Sequence, residues 1–181
     1  MNEKKRIGIM TTGGDCSGLN TVIQRVVNAA AMRDWQVIGI RGGTDGLYAE
    51  PVDAIELTPE NMPLEYARLS GSILRNGRDG TMNFEEAARQ GILKEFNAKL
   101  NRALKELHLD TLILVGGNGS LSLAWGFKEI YSGVKLVCVP KTIDMDVPLT
   151  DATIGFNTAV QQLTTFCDQL LMTARSHRRW F

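Results

Sequence analysis

The sequence predicts an α/β protein in three layers, a mostly parallel sheet between helices. Two observations predict it. Short apolar runs of strand length recur at 7–11, 35–40, 111–115 and 134–138. Nearly every run breaks into a loop rich in Gly or Asp, and tracts of helical period follow. With 181 residues, 44% of them hydrophobic and 22% charged, the chain has enough apolar material for a sizeable core in an ordinary domain. Twenty basic residues balance twenty acidic ones, so bulk charge argues for neither nucleic acid nor an anionic membrane as partner. Cys16, Cys138 and Cys167 are far apart and odd in number, the pattern of reduced thiols and not of a disulfide or zinc framework. No stretch is long enough to span a bilayer, and the N-terminus reads as the entry to a strand and not as a signal peptide. A cytoplasmic location is the expectation.

In chain order, Ile7-Gly8-Ile9-Met10-Thr11 reads as a buried strand and breaks into Gly13-Gly14-Asp15-Cys16-Ser17-Gly18. Val22, Ile23, Val26, Val27 and Ala30 then recur at helical spacing. Strand, Gly loop and helix lay backbone N–H groups and a helix N-terminus against a phosphate. The loop matches neither common fingerprint: Leu19-Asn20 stands where a Walker A loop needs Lys-Ser/Thr, and Gly-x-Gly-x-x-Gly is absent. A second strand, 35–40, ends in Arg41-Gly42-Gly43-Thr44-Asp45-Gly46, which faces the same sheet edge. Residues 48–62 read as a hairpin or excursion and 63–69 as a short helix. In 70–80, Arg75 and Arg78 amid Gly and Ser form a local positive site, and an Arg fork matches phosphate geometry. Exposed loop arginines would look the same on this segment alone.

From Asn83 to Leu107 runs a long helical tract, with Gly91 as a break and a solvated outer face; His108 is a surface residue at its end. Thr111-Leu112-Ile113-Leu114-Val115 is the clearest strand and enters Gly116-Gly117-Asn118-Gly119-Ser120, followed by an amphipathic helix through Leu121, Ala124, Trp125 and Ile130. The last strand, Val134 to Cys138, is read as buried and as closed by Pro140, which cannot donate to a ladder. Asp144 and Asp146 follow. On an extended backbone both carboxylates point the same way, which suits a metal or a general base, with Lys141 beside them for an anionic substrate. A solvated turn is the plain alternative. Ligands of open α/β sheets sit outside the carboxyl ends of the strands, where all these loops lie.

Five stretches in order resemble the motifs of 6-phosphofructokinases: Gly13-Gly14-Asp15-x-x-Gly18-x-Asn20; Gly71-Ser72-x-Leu74 leading to Arg78; Gly116-Gly117-Asn118-Gly119-Ser120; Pro140-Lys141-Thr142-Ile143-Asp144-Met145-Asp146; and Thr153-Ile154-Gly155-Phe156-Asn157-Thr158-Ala159. The resemblance covers essentially the whole chain, although the family's chains are considerably longer. It implies a phosphofructokinase-like fold, with residues 1–140 as the nucleotide- and phosphate-binding domain and 141–181 as the start of a truncated sugar-phosphate domain. It also implies phosphoryl transfer to the 1-hydroxyl of fructose 6-phosphate in glycolysis, with Mg²⁺ as cofactor, by an enzyme that assembles as a homo-dimer or tetramer. Carried over by position, Asp144 falls on the catalytic base, and Thr142 and Asp146 on its partners around the sugar hydroxyl. Gly14, Arg78, Gly117, Asn118, Gly119, Ser120 and Lys141 fall on donor-binding positions, Asn20 on the same phosphate-facing loop as Gly14, and Arg179 on an arginine that reaches the sugar phosphate, often across a subunit interface.

Gly119 is the residue of ATP-using members, and it leaves room for the α-phosphate and nucleoside of ATP; Lys141 is usual in pyrophosphate-using members but occurs in some ATP-using branches. ATP is the favoured donor and pyrophosphate the alternative. Three positions depart from the family. Asn118 replaces a metal-binding Asp, so metal affinity is expected to fall. Met145 replaces an Asn. Gln24 and Asn28 stand where regulated bacterial members carry arginines for an effector, so that allosteric site is not expected in its usual form. The chain ends at Trp180-Phe181, where a strand carrying the next sugar-binding motif is expected. The helix beginning near Asn157 would then expose an apolar face. A nucleotide-binding remnant without turnover is the reading from outside the enzyme class.

Overall fold

The computed structural model describes residues 4–77, 87, 89–122, 124 and 133–180. Six strands form one sheet: β1 (Arg6–Thr11), β2 (Gln36–Ile40), β3 (Ala54–Leu57), β4 (Thr111–Gly116), β5 (Lys135–Thr142) and β6 (Ile154–Gly155). Their spatial order is β3-β2-β1-β4-β5-β6. Among the described residues only β3 runs antiparallel to its neighbour; the other pairings are parallel, with Ile9 level with Gly39 on one side and Ile113 on the other. The expected layered, mostly parallel fold is present.

Alternation along the strands builds two cores. Met10, Ile38, Ile40, Leu112 and Leu114 point to one face, where Leu47 of α2 (Thr44–Tyr48) and Phe96, Leu100 and Leu104 of α3 (Leu93–Glu106) cover them. Ile9, Val37, Leu57 and Val115 point to the other, under Leu19, Ile23 and Val27 of α1 (Leu19–Ala31). Burying each such side chain contributes roughly 1.5–3 kcal/mol, which identifies these two faces as the source of the fold's stability. Helix α4 (Phe156–His177) is different: none of its residues is buried.

The topology places a crevice. From β1 the chain passes through α1 to β2 on one side, while β4 lies on the other side of β1. The loop after β1 leads to α1 on one face of the sheet; the loop after β4 leads, through helical residues 118–122, to Ala124 in the opposite core. Loops that depart to opposite faces open a cleft at the carboxyl ends of the two strands.

Three details differ from the sequence reading, and one, the break at Gly91, agrees with it. Residues 48–62 contain β3, antiparallel to β2. The Gly-rich loop after β2 folds directly into α2. Gly43 (φ 61°) is needed there for packing: a Cβ would lie 2.9 Å from Thr12 Cγ2 and 3.0 Å from the Thr11 carbonyl oxygen. Pro140 does not close β5, which continues to Thr142 and pairs with Ile154 and Gly155 at Lys141 and Thr142. Proline is tolerated because the outer edge of β5 has no partner before Lys141 among the described residues, so no ladder donor is lost there. Nor is β5 the buried strand expected: Val137 is 47% exposed. The second half of the long helical tract is α3, which begins after Gly91 (φ 70°); the Asn83 cap, Trp125 and Ile130 lie outside the described residues.

Candidate functional site

Three loops and one strap meet at the carboxyl edge of the sheet. The first follows β1. Thr12 N–H donates to the Val115 carbonyl (3.0 Å), and Thr12 Oγ1 donates to Ser120 Oγ (2.5 Å), so the loops after β1 and β4 are tied at their bases. The two hydroxyls meet over Gly116, where a Cβ would sit 2.4 Å from Ser120 Oγ and 2.7 Å from Thr12 Oγ1. Gly117 backs onto the end of β5, its Cβ position 3.1 Å from the Lys141 carbonyl oxygen. Gly14 and Gly119 are different in kind: apart from their chain neighbours and, at Gly119, the backbone of its own helix, a Cβ on either would meet no atom of the described residues within 4 Å. These two glycines face open space, as backbone must if a ligand is to approach it. Asn118 is exposed at the head of the second loop.

Lys141 joins the first loop to β5. Its residue is 4% exposed, and its ammonium donates to the Gly14 carbonyl (2.5 Å). Burial lowers its pKa, while Cys16 and Asp15 nearby oppose that shift. Burial likewise raises the Cys16 thiol, with Lys141 pulling the other way and Asp15 adding to the rise. Cys16 occupies the space in which a side chain at Gly155 (φ 105°) would lie, 2.7 Å from its Sγ.

The third loop runs from Thr142 to Asp146. Asp144 N–H donates to Thr142 Oγ1 (3.0 Å), and Thr153 Oγ1 donates to the Thr142 carbonyl (2.8 Å), which holds the turn against β6. Both carboxylates are exposed. The backbone between them is not extended, because Met145 adopts φ 56°. The same-direction argument for Asp144 and Asp146 therefore fails; a left-handed residue redirects the chain between them.

The strap, 69–77, crosses the end of β1. Thr11 Oγ1 and Ser72 Oγ share a hydrogen bond (2.7 Å), and the Asn76 amide donates to Asp15. Thr11, Thr12 and Asn76 escape motif reading because their signal is a partner far away in the chain, whereas Ser72 stands in the second motif. Asn20 does not face the crevice; it is 1% exposed beneath the strap. Arg78 lies outside the described residues. Arg179 is exposed just beyond α4, a helix of 22 residues that spans about 33 Å at 1.5 Å per residue, so it is far from Asp144 of its own chain. Among the described residues no three His, Cys, Asp or Glu side chains group as a metal cage.

A mostly parallel sheet with glycine loops on both sides of a switch point is the architecture of nucleotide- and phosphate-handling α/β proteins. Within that class the chain belongs to the phosphofructokinase family, whose model matches residues 6–181. It is 40% identical over 180 residues to ATP-dependent 6-phosphofructokinase 1 of Synechocystis sp., covering 99% of this chain and 49% of the relative. It is 38% identical over 180 residues to the ATP-dependent 6-phosphofructokinase of Chloroflexus aggregans, covering 98% and 49%. The chain thus spans about half the length of the curated relatives it matches. Among solved structures, a phosphofructokinase from Saccharomyces cerevisiae superposes with TM-score 0.79 at 25% identity, over 97% of this chain and 25% of that one. A pyrophosphate-dependent phosphofructokinase from Marinobacter aquaeolei superposes at 0.72 and 17% identity, over 95% and 42%, a likeness of fold alone.

Proposed function

We propose that this chain carries the donor site and catalytic loop of an ATP-dependent 6-phosphofructokinase, transferring a phosphoryl group to the 1-hydroxyl of fructose 6-phosphate to give fructose 1,6-bisphosphate. The observation that carries the reading is the open space at Gly14 and Gly119, on two tied loops flanking one crevice, in a chain whose 40% identical relative is named ATP-dependent. Residues 1–140 would hold the donor and 141–181 begin the sugar-phosphate domain. Backbone N–H groups of the two Gly loops, with Gly117 and Ser120, cradle the phosphates. Arg78 neutralises charge on the transferring group, and Arg179 reaches the sugar phosphate of a neighbouring subunit in a homo-oligomer. No described helix is long and apolar enough to cross a membrane; a cytoplasmic location is part of this proposal.

In the reaction, the Asp144 carboxylate takes the proton of the sugar hydroxyl while that oxygen forms a bond to the γ-phosphorus. The bond from the γ-phosphorus to the bridging oxygen breaks and ADP leaves. Thr142 and Asp146 orient the hydroxyl and its base. Mg²⁺, when bound, neutralises phosphate charge. With no acidic cage among the described residues, an ion would have to be brought in by the nucleotide, and the exposed Asn118 amide oxygen would offer it one uncharged ligand. Lys141 does not separate the two donors: its ammonium gives one of three N–H groups to the Gly14 carbonyl, which leaves two for a phosphate of either.

The test is fructose 1,6-bisphosphate formation with ATP and pyrophosphate in parallel, alongside MgATP binding by calorimetry. Turnover with ATP alone is expected, and Asp144→Asn should lower it by about 10²–10⁴-fold while donor affinity stays within twofold. Turnover with pyrophosphate alone would overturn the donor assignment. MgATP binding without turnover would establish the second reading, a nucleotide-binding remnant, which Asn118 favours.

A further inference from the structure

Asn20 is polar, sits in the first turn of α1, and is 1% exposed. Both ends of its amide are committed to one segment: Nδ2 donates to the Leu69 carbonyl (3.1 Å), and Oδ1 accepts from the Ile73 N–H (2.8 Å). A planar amide carries a donor and an acceptor on one carbon, so a single side chain can close a five-residue loop from the inside. The neighbouring Thr21 Oγ1 donates to the Ala67 carbonyl (2.8 Å), which is outside that loop.

That loop is the first half of the strap. Leu74's carbonyl accepts from Gly42 N–H (2.7 Å), Gly71 N–H donates to the Cys16 carbonyl (3.2 Å), and Thr11 and Asp15 hold Ser72 and Asn76. Within it Arg75 adopts φ 60° with its side chain exposed. A long side chain in the left-handed region persists only where its surroundings over-determine it, and such outliers gather at ligand clamps.

We infer that Asn20 is a positioning residue: its buried amide anchors the 69–77 strap across the carboxyl end of β1 and so sets where Arg75 stands relative to the phosphoryl donor. The inference rests on the donor reading above. Because Asn20 is sealed from the crevice, it acts only through the strap and touches no ligand.

Hydrogen exchange and MgATP calorimetry on the full chain test it, with Asn20→Leu, Asn20→Asp and Thr21→Val. Asn20→Leu is expected to speed exchange at the amides of Ile73 to Arg75 at least tenfold, leave the sheet amides of β1 and β4 unchanged, and weaken MgATP at least tenfold. Asn20→Asp keeps an acceptor for the Ile73 N–H and should restore part of both; it carries the test if the Leu variant does not fold. Thr21→Val, which loses an adjacent bond of similar length, should change neither. An Ile73 amide as protected in Asn20→Leu as in wild type, or, where that variant does not fold, exchange over Ile73 to Arg75 unchanged in Asn20→Asp, would overturn the clamp. Lost protection with unchanged affinity would overturn the positioning role. A wild-type chain with no MgATP affinity would overturn the donor reading and the positioning role with it, while exchange would still decide the clamp.

Discussion

Met145 shows what a single backbone angle does to a site. At φ 56° it occupies a region that costs a non-glycine residue roughly 1–2 kcal/mol, and Asn is several-fold enriched there. That is the physical content of the Met-for-Asn departure. Met145→Asn should raise unfolding free energy by about 0.5–1 kcal/mol, read from urea denaturation; no change would mean that the Met145 Sδ contact with Thr153 Oγ1 (3.7 Å) offsets the strain. Gly119 separates folding from binding more sharply. It lies in helical backbone with open space at its Cβ position, so Gly119→Ala should stabilise the chain by up to about 1 kcal/mol, by thermal or urea unfolding, while weakening MgATP about tenfold by calorimetry. A variant less stable than wild type would show that the glycine serves the fold and not a ligand.

Among the elements, α1, α3 and the strands β1 and β4 were legible because their burial pattern repeats along the chain. Helix α4 was legible in the same way, yet its apolar stripe has no cover: Leu163 is 65% exposed and Phe166 55%. Exposed apolar area of this kind drives association. Sedimentation velocity should show concentration-dependent self-association of the wild type, and Leu163→Lys with Phe166→Glu should return the chain to monomer; a wild type monomeric at all concentrations would refute this. Strand β5 was only half legible. Its apolar residues predict a strand, but whether Pro140 ends it depends on where β6 pairs, which no local pattern encodes.

At the scale of the whole molecule, pH dependence sums groups that folding treats differently. Lys141 has a lowered pKa from burial. Between that value and the ordinary lysine range near about 10.4, the unfolded chain binds more protons than the native one, so this residue makes stability rise with pH. Cys16 and Cys138 are raised by burial, so the native chain keeps protons that the unfolded chain releases above about 8.5, and they make stability fall. Lys141→Gln removes the first contribution and also the pull of Lys141 on the Cys16 thiol, and both changes act in the same direction. Its stability relative to wild type should therefore decline as pH rises from 7 to 9.5 in urea titrations; a difference independent of pH would mean that Lys141 titrates alike in both states.

The sequence by itself determined the layered α/β class, the glycine and aspartate loops at strand ends, and the family, because strand and helix periods and motif spacing are local properties. Only the tertiary structure decided which glycines face open space and which are packed. It also decided that Asn20 lies under the strap, that Lys141 is committed to Gly14, and that Asp144 and Asp146 do not share an extended strand. Each of these depends on contacts between residues far apart in the chain or on one backbone angle, and neither leaves a trace in local spacing.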